Sequence, residues 1–248
     1  MNVLVACEFS GVVREAFRAR GHRAWSCDLL PSEIPGPHIQ GDVTAILDAG
    51  WDLLIAHPPC THLAVSGARW FKEKRAEQEE ALSFVRTLLD APIPRIALEN
   101  PVSVISSKIR KPDQIVQPWQ FGDDAAKTTC FWLKGLSPLA YYESKVVKPR
   151  WERQPNGKLL PRWGNQIDSG QNCLAPSRDD PDARWMERSR TYPGIATAMA
   201  EQWSAVVHAE PPARTVYGPK FAPIPADEPR SEREGETSSN DRSVWGAL

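Results

Sequence analysis

Cys60 follows an apolar run, Leu53-Leu54-Ile55-Ala56, across the tripeptide His57-Pro58-Pro59. Such a run reads as a buried strand of a parallel sheet. The prolines end it, because proline lacks the ladder N–H and has a fixed φ. The thiol therefore stands on a stiff loop beyond the carboxyl end of a strand, where open α/β sheets place their ligands. A cysteine held there is a candidate nucleophile. The same residues also suit an inert cysteine packed as a small hydrophobe, and the rest of the chain decides between the two.

Glu8, Asp28, Asp42 and Glu99 each fall just past the end of another predicted strand. Any one of them suits a helix cap. Together with Cys60 they line one edge of one sheet, the arrangement of a nucleotide site. The turn Glu8-Phe9-Ser10-Gly11 lacks the G-x-G-x-x-G run that cradles a pyrophosphate. That points away from a dinucleotide and toward a nucleoside with a zwitterionic tail. A carboxylate at the second strand end suits ribose hydroxyls, and one at the third suits an exocyclic amine such as that of adenine. The composite is a site for S-adenosylmethionine.

The elements that must position these groups follow from periodicity. Strands are predicted over residues 2–6, 22–27, 38–40, 51–56 and 95–98. A helix over 12–20 has Val12, Val13, Ala16 and Phe17 on one face, and Gly21 ends it. A second, over about 70–89, has Ala81, Leu82, Val85, Leu88 and Leu89 inward, with a charged first half. Strand–helix alternation predicts a doubly wound α/β domain.

In order and spacing, Phe9-Ser10-Gly11, Asp28, Gly41-Asp42, Pro58-Pro59-Cys60 and Glu99-Asn100 resemble the motif series of DNA cytosine-5 methyltransferases. The resemblance covers about residues 2–134, with a weaker match near 191–203. It implies a Rossmann-like S-adenosylmethionine-dependent methyltransferase fold with a small insertion. It makes Glu8, Phe9, Ser10, Gly11, Asp28, Asp42 and Pro58 the cofactor-binding candidates. Cys60, Glu99, Asn100 and Lys127 become the catalytic candidates, Cys60 as nucleophile and the Glu-Asn pair engaging cytosine. Two departures stand out. The family's Gln-x-Arg-x-Arg run corresponds here to Ala125-Ala126-Lys127-Thr128-Thr129, and its Pro-Cys-Gln loop is Pro-Cys-Thr.

The residue types fit that chemistry. Carbon 5 of cytosine is a poor nucleophile until a thiolate adds to carbon 6 and makes carbon 5 enamine-like. A buried carboxylic acid with a raised pKa can protonate ring nitrogen N3 as charge builds, and Glu99 is the candidate. The target atom lies inside a duplex, so such an enzyme flips the base or takes single strands. An amino-group methyltransferase is disfavoured, because its Asn/Asp-Pro-Pro-aromatic loop has no use for a cysteine. The other readings are the same machinery acting on a free nucleotide or a modified base, and a catalytically silent binding module.

Beyond Leu133 the chain changes character. Residues 145–165 hold Lys145, Lys148, Arg150, Arg153, Lys158 and Arg162 against one acid, Glu152, with Trp151 and Trp163 interleaved. Pro155-Asn156-Gly157 predicts a hairpin turn. Basic residues with aromatics suit phosphate contacts and stacking, so Lys148, Arg150, Trp151, Arg153 and Arg162 are nucleic-acid-binding candidates. A solvated hairpin with a packed tryptophan pair is the alternative. Residues 164–182 read as a polar loop of the same region. A helix is expected over 196–208, with Ile195, Met199, Trp203 and Val206 on one face. Residues 227–241 are too polar to bury a core, and Val244-Trp245 is a possible short docking motif.

The expected organisation is a catalytic core over 1–138, a small target-recognition region over 139–188, a helix packing back over 189–210 and a disordered tail over 211–248. A net charge of -1 supplies no global field for a polyanion, so DNA must be held by a local patch. Five cysteines without C-x-x-C spacing argue for reduced thiols and against a disulfide framework or a metal site. No apolar run reaches membrane-spanning length and no leader segment is evident. We therefore expect a cytoplasmic monomer.

Overall fold

The computed structural model describes residues 1–65, 74–170 and 186–204. The expected tail, the end of the last helix, the start of the second helix and part of the loop over 164–182 lie outside the described residues. The strands of the main sheet are β1 (Asn2–Ala6), β2 (Arg23–Asp28), β3 (His38–Gln40), β4 (Leu53–Ala56), β5 (Ile96–Asn100), β6 (Gln114–Val116) and β7 (Thr129–Lys134). Their order is β3-β2-β1-β4-β5-β7-β6. Strands β1 to β5 run parallel, whereas β7 lies antiparallel to both β5 and β6. The result is a mixed α/β domain around a largely parallel seven-stranded sheet.

Alternation along the strands divides the core in two. Val3, Val5, Leu53 and Ile55 face α1 (Val12–Arg18) and α4 (Pro193–Ser204). Leu4, Ala6, Leu54 and Ala56 face α2 (Arg75–Leu89) and the short helix α3 (Ile105–Lys108). Every residue of β4 is fully buried, as a central parallel strand covered on both faces requires. Helix α2 presents Leu82, Val85 and Leu88 to the sheet at helical spacing, as the sequence predicts. Helix α4 buries Ile195, Met199 and Trp203, and Trp203 meets Phe131 of β7 edge to face at 5.9 Å. Gly194 lets its N-terminus approach the connection between β6 and β7, since a Cβ there would stand 2.2 Å from the carbonyl oxygen of Phe121.

Two differences from the sequence reading bear on the site. Asp28, Glu99 and Asn100 are the last residues of their strands, not residues beyond them. Their backbones are thus fixed by the ladder. Strand β7, which the periodicity did not reveal, runs back along β5, so Thr129 and the preceding Lys127 arrive at the same edge as Glu99.

Candidate active site

Register aligns the strand ends. Ala6 pairs with Cys27 and with Ala56, and Ala56 pairs with Leu98. The residues that follow, Cys7, Asp28, His57 and Glu99, therefore share one edge. The chain reverses its direction of strand addition between β1 and β4, which makes the crevice between them the topological switch point. A small cleft lies there, lined by Cys7, Glu8, Phe9, Ser10, His57, Ser189 and Thr191.

The cysteine loop is held from both sides. The His57 amide donates to the Ala6 carbonyl at 3.0 Å, and Asn100 Nδ2 donates to the buried Pro58 carbonyl at 2.9 Å. The Leu63 and Ala64 amides close a turn on the Cys60 carbonyl. Ala64 then bridges Ser103, tying the loop to the segment after β5. Cys60 itself is exposed. Partial desolvation and the neighbouring Glu99 carboxylate push its thiol above the usual range, while Lys127 and Arg188 pull the other way. Of these partners the sequence reading named Glu99 and Lys127 but not Arg188, which comes from a single helical turn over residues 186–189. Lys127 Nζ donates to the Arg188 carbonyl at 2.8 Å and lies 6.0 Å from the Tyr192 ring centroid. No local signal in the sequence brings these segments together.

Glu99 departs from expectation. Burial pushes its carboxyl up, but the hydrogen bond from His57, the Lys127 charge and the His57 charge together hold it below the ordinary glutamate range. The anticipated raised pKa is therefore corrected: Glu99 is a stabilised carboxylate. His57 Nδ1 lies 3.2 Å from Glu99 Oε2, the two side chains being 7% and 14% exposed. His57 Nε2 and Asn100 Oδ1 are buried with no hydrogen-bond partner among the described residues.

The cofactor candidates divide. Glu8 is buried, and its carboxylate accepts from the Val13 amide at 2.6 Å, the Arg14 amide at 3.2 Å and Ser10 Oγ at 3.5 Å. It caps the orphan amides of α1, so the geometry makes it a helix cap lining the cleft instead of a ligand group with free lone pairs. Burial still raises its pKa. Gly11 adopts φ +74° at the start of α1, and a Cβ there would stand 2.6 Å from Arg14 Nη2 and 2.7 Å from Ile34 Cγ1. That close packing belongs to the protein. Asp28 accepts from the Leu30 amide at 3.0 Å, and burial raises its pKa. Asp42 is exposed and accepts from the Thr44 amide at 2.9 Å. Desolvation, and after it the charges of Asp28 and Asp42, push the buried Cys27 thiol up to about 11, so both carboxylates lie near that thiol. Phe9 and Pro58 are buried beside the cleft.

Arg14, which the sequence reading passed over, organises this edge. Its buried guanidinium donates to Glu15, Ser26, Ser32 and the carbonyls of Ile34 and Pro35. It thereby fixes the loop after β2. That loop is tied in turn to the segment beside the cleft by Arg190, which makes a two-pronged pair with Glu33 at 2.9 and 2.7 Å.

The hairpin forms as predicted, with β8 (Arg150–Arg153) antiparallel to β9 (Leu159–Arg162). Its charges are not equivalent. Arg162 is 8% exposed and donates to the carbonyls of Asp168 and Pro161. Arg150 donates to Glu152, Asp168 and the carbonyls of Trp163 and Gln166. Both are bound up in holding the hairpin to the following loop, which corrects their place among the nucleic-acid candidates. Trp163 stacks on Trp119 at 5.3 Å, so it too is packing. The opposite face of the hairpin carries Trp151, Arg153 and Leu159, all exposed, with Lys148 just before it.

No family model and no curated protein sequence matches the chain. Among solved structures, the chain is similar to one described as a DNA modification methyltransferase encoded within a prophage of E. coli, at 15% identity and a TM-score of 0.38, over 54% of this chain and 46% of that one. It is also similar to the 16S rRNA methylase RmtB, at 16% identity and a TM-score of 0.29, over 53% and 54% of the two chains. The chain spans about half the length of each. These likenesses are distant, and the reading of function rests on the site.

Proposed function

We propose that this chain is an S-adenosylmethionine-dependent methyltransferase of Rossmann-like fold that acts on carbon 5 of cytosine in DNA. The observation that carries the reading is the placement of the exposed Cys60 thiol within the field of the Glu99 carboxylate at adjacent strand ends, the cysteine loop being anchored through Asn100. A silent module has no need of a nucleophile and an acid set against one another.

The residues fit the cofactor in part. Acceptors at Asp28 and Asp42 suit the hydroxyl and amine donors of adenosine, and the cleft beside Phe9 and Ser10 suits the amino-acid end. Glu8 lines the cleft while its carboxylate caps α1. When bound, the cofactor supplies an electrophilic methyl group. Cys60 adds as thiolate to carbon 6 of the ring, and N3 takes a proton by way of Glu99, whose carboxylate must itself first receive one, as charge builds. Carbon 5 gains the methyl group and then loses its proton to solvent. The C–S bond breaks, which returns the thiolate and restores the aromatic ring.

Nucleoside mass spectrometry after incubation with labelled cofactor and duplex DNA, single-stranded DNA or free cytidine nucleotides tests this directly. The expected product is 5-methylcytosine in DNA, with none from Cys60→Ala, and a covalent adduct with DNA bearing 5-fluorocytosine. Label on the free nucleotide alone moves the substrate to the nucleotide pool. Methylated adenine, N4-methylcytosine or an active Cys60→Ala enzyme overturns the mechanism.

A further inference from the structure

We propose that His57 and Glu99 share a proton, with His57 loading Glu99 with the proton that Glu99 delivers to N3 of cytosine. The inference rests on the cytosine-5 reading and goes beyond it, because it gives a role to a residue outside the motif series.

The geometry is direct. His57 Nδ1 stands 3.2 Å from Glu99 Oε2, and the imidazole is 7% exposed. Its backbone is pinned by the ladder bond to Ala6, so the ring cannot drift from the carboxylate. Among the described residues Nε2 is buried without a partner, and His57 lines the cleft together with Glu8, Ser10, Ser189 and Thr191. An orphaned buried nitrogen costs free energy, so its retention beside a polar cleft calls for a role.

The surroundings supply the charge balance. Glu99 faces the ring from β5 and Glu8 from the turn after β1, while Cys7 lines the same cleft. Beyond Glu99 stand Lys127, Cys60 and Cys130. A Glu99 held as a carboxylate is a poor acid alone, and an imidazolium bonded to it corrects that. As the C–S bond forms at carbon 6, the Nδ1–H bond of His57 breaks and Glu99 O–H forms; that O–H bond then breaks and N3–H forms. Elimination runs the same transfers backward, so no proton is gained or lost over the cycle at these residues.

His57 is thus a positioning residue that acts through Glu99. Glutamine at this position can still donate a hydrogen bond but carries no titrating proton. At saturating S-adenosylmethionine, single-turnover methylation by His57→Gln should fall by about 10²-fold. The wild-type rate should rise with pH as Cys60 ionises and then fall; His57→Gln should keep the rise and lack the fall. In 15N-histidine spectra of the wild-type chain, the His57 ring signals should move on Glu99→Gln substitution, a readout independent of turnover and of the folding of the His57 variant. An unchanged rate and profile in His57→Gln, or ring signals indifferent to Glu99→Gln, overturns the dyad. A wild-type enzyme that makes no 5-methylcytosine overturns the cytosine-5 reading itself, so the two failures are distinct.

Discussion

Asn100 donates from Nδ2 to the Pro58 carbonyl across 2.9 Å, so the last residue of β5 holds the loop that ends β4 and presents Cys60. Both groups are buried. Asn100→Ala leaves the carbonyl without its donor, at a cost of about 1–3 kcal/mol. We expect that loss in urea denaturation, together with slower covalent capture on 5-fluorocytosine DNA, since a looser loop misplaces the nucleophile. A variant as stable and as fast as wild type would show that the prolines alone fix the loop.

The Cys60 thiol is raised by desolvation and then by Glu99, and lowered by Lys127 and Arg188. Removing the acid should therefore bring the thiol down, and removing a base should raise it further. At neutral pH, Glu99→Gln should speed iodoacetamide alkylation of Cys60, and Lys127→Ala should slow it, since the thiolate is the reactive form. Peptide mass spectrometry follows the residue directly. Equal rates in all three proteins would place Cys60 outside the field of Glu99.

Glu99 titrates below the ordinary glutamate value of 4.5, although burial opposes it, because His57 and Lys127 favour the charged form. Its folded pKa is lower than its unfolded one. The stability it contributes is thus fully present above the unfolded value and is lost as pH falls through the folded one. Glu8 has the opposite sign, being raised chiefly by burial. Denaturation of wild type and Glu99→Gln at pH 7 and at pH 3 should show the difference between them shrinking on acidification. A gap that widens in acid would mean that Glu99 is neutral in the native protein at pH 7.

Much of this site is legible because it is local in sequence. Apolar runs mark β1 and β4, and the polar residue after each run falls on the ligand edge by the geometry of a parallel sheet. What escapes is set by long-range pairing. Arg14 sits on a helix whose apolar face is plain, yet its guanidinium is buried by a loop 18 to 21 residues away. Arg188 meets Cys60 only because residues 186–191 return across the strand ends. His57 was read as part of the proline stop, and its partner lies 42 positions on. The hairpin charges were counted within 145–165, whereas Glu143, Asp168 and Glu201, which pair with Lys148, Arg150 and Lys145, lie outside that window.

That pairing changes what the hairpin can do for DNA. Arg150 and Arg162 are committed to the loop over 163–170, so their alanine variants should lower the melting temperature and leave the salt dependence of DNA binding little altered. Lys148 is exposed, its contact with Glu143 being a loose 4.0 Å, and among the described residues Arg153 has only the Gly157 carbonyl. Exposed pairs of this kind are worth little and open readily to a phosphate. Each phosphate contact contributes a log–log salt slope of about -0.9 on duplex DNA, so the Lys148→Ala, Arg153→Ala double variant should flatten the slope by about two units. Trp151, at 61% exposure on the same face as Arg153, is positioned to stack on an unpaired base. Trp151→Ala should cost about 1–3 kcal/mol of single-strand affinity without changing the slope, because it removes no charge. Titrations of DNA at several salt concentrations separate the three classes of variant. A slope that responds to Arg150 and Arg162 but not to Lys148 and Arg153 would place the DNA on the opposite face of the hairpin.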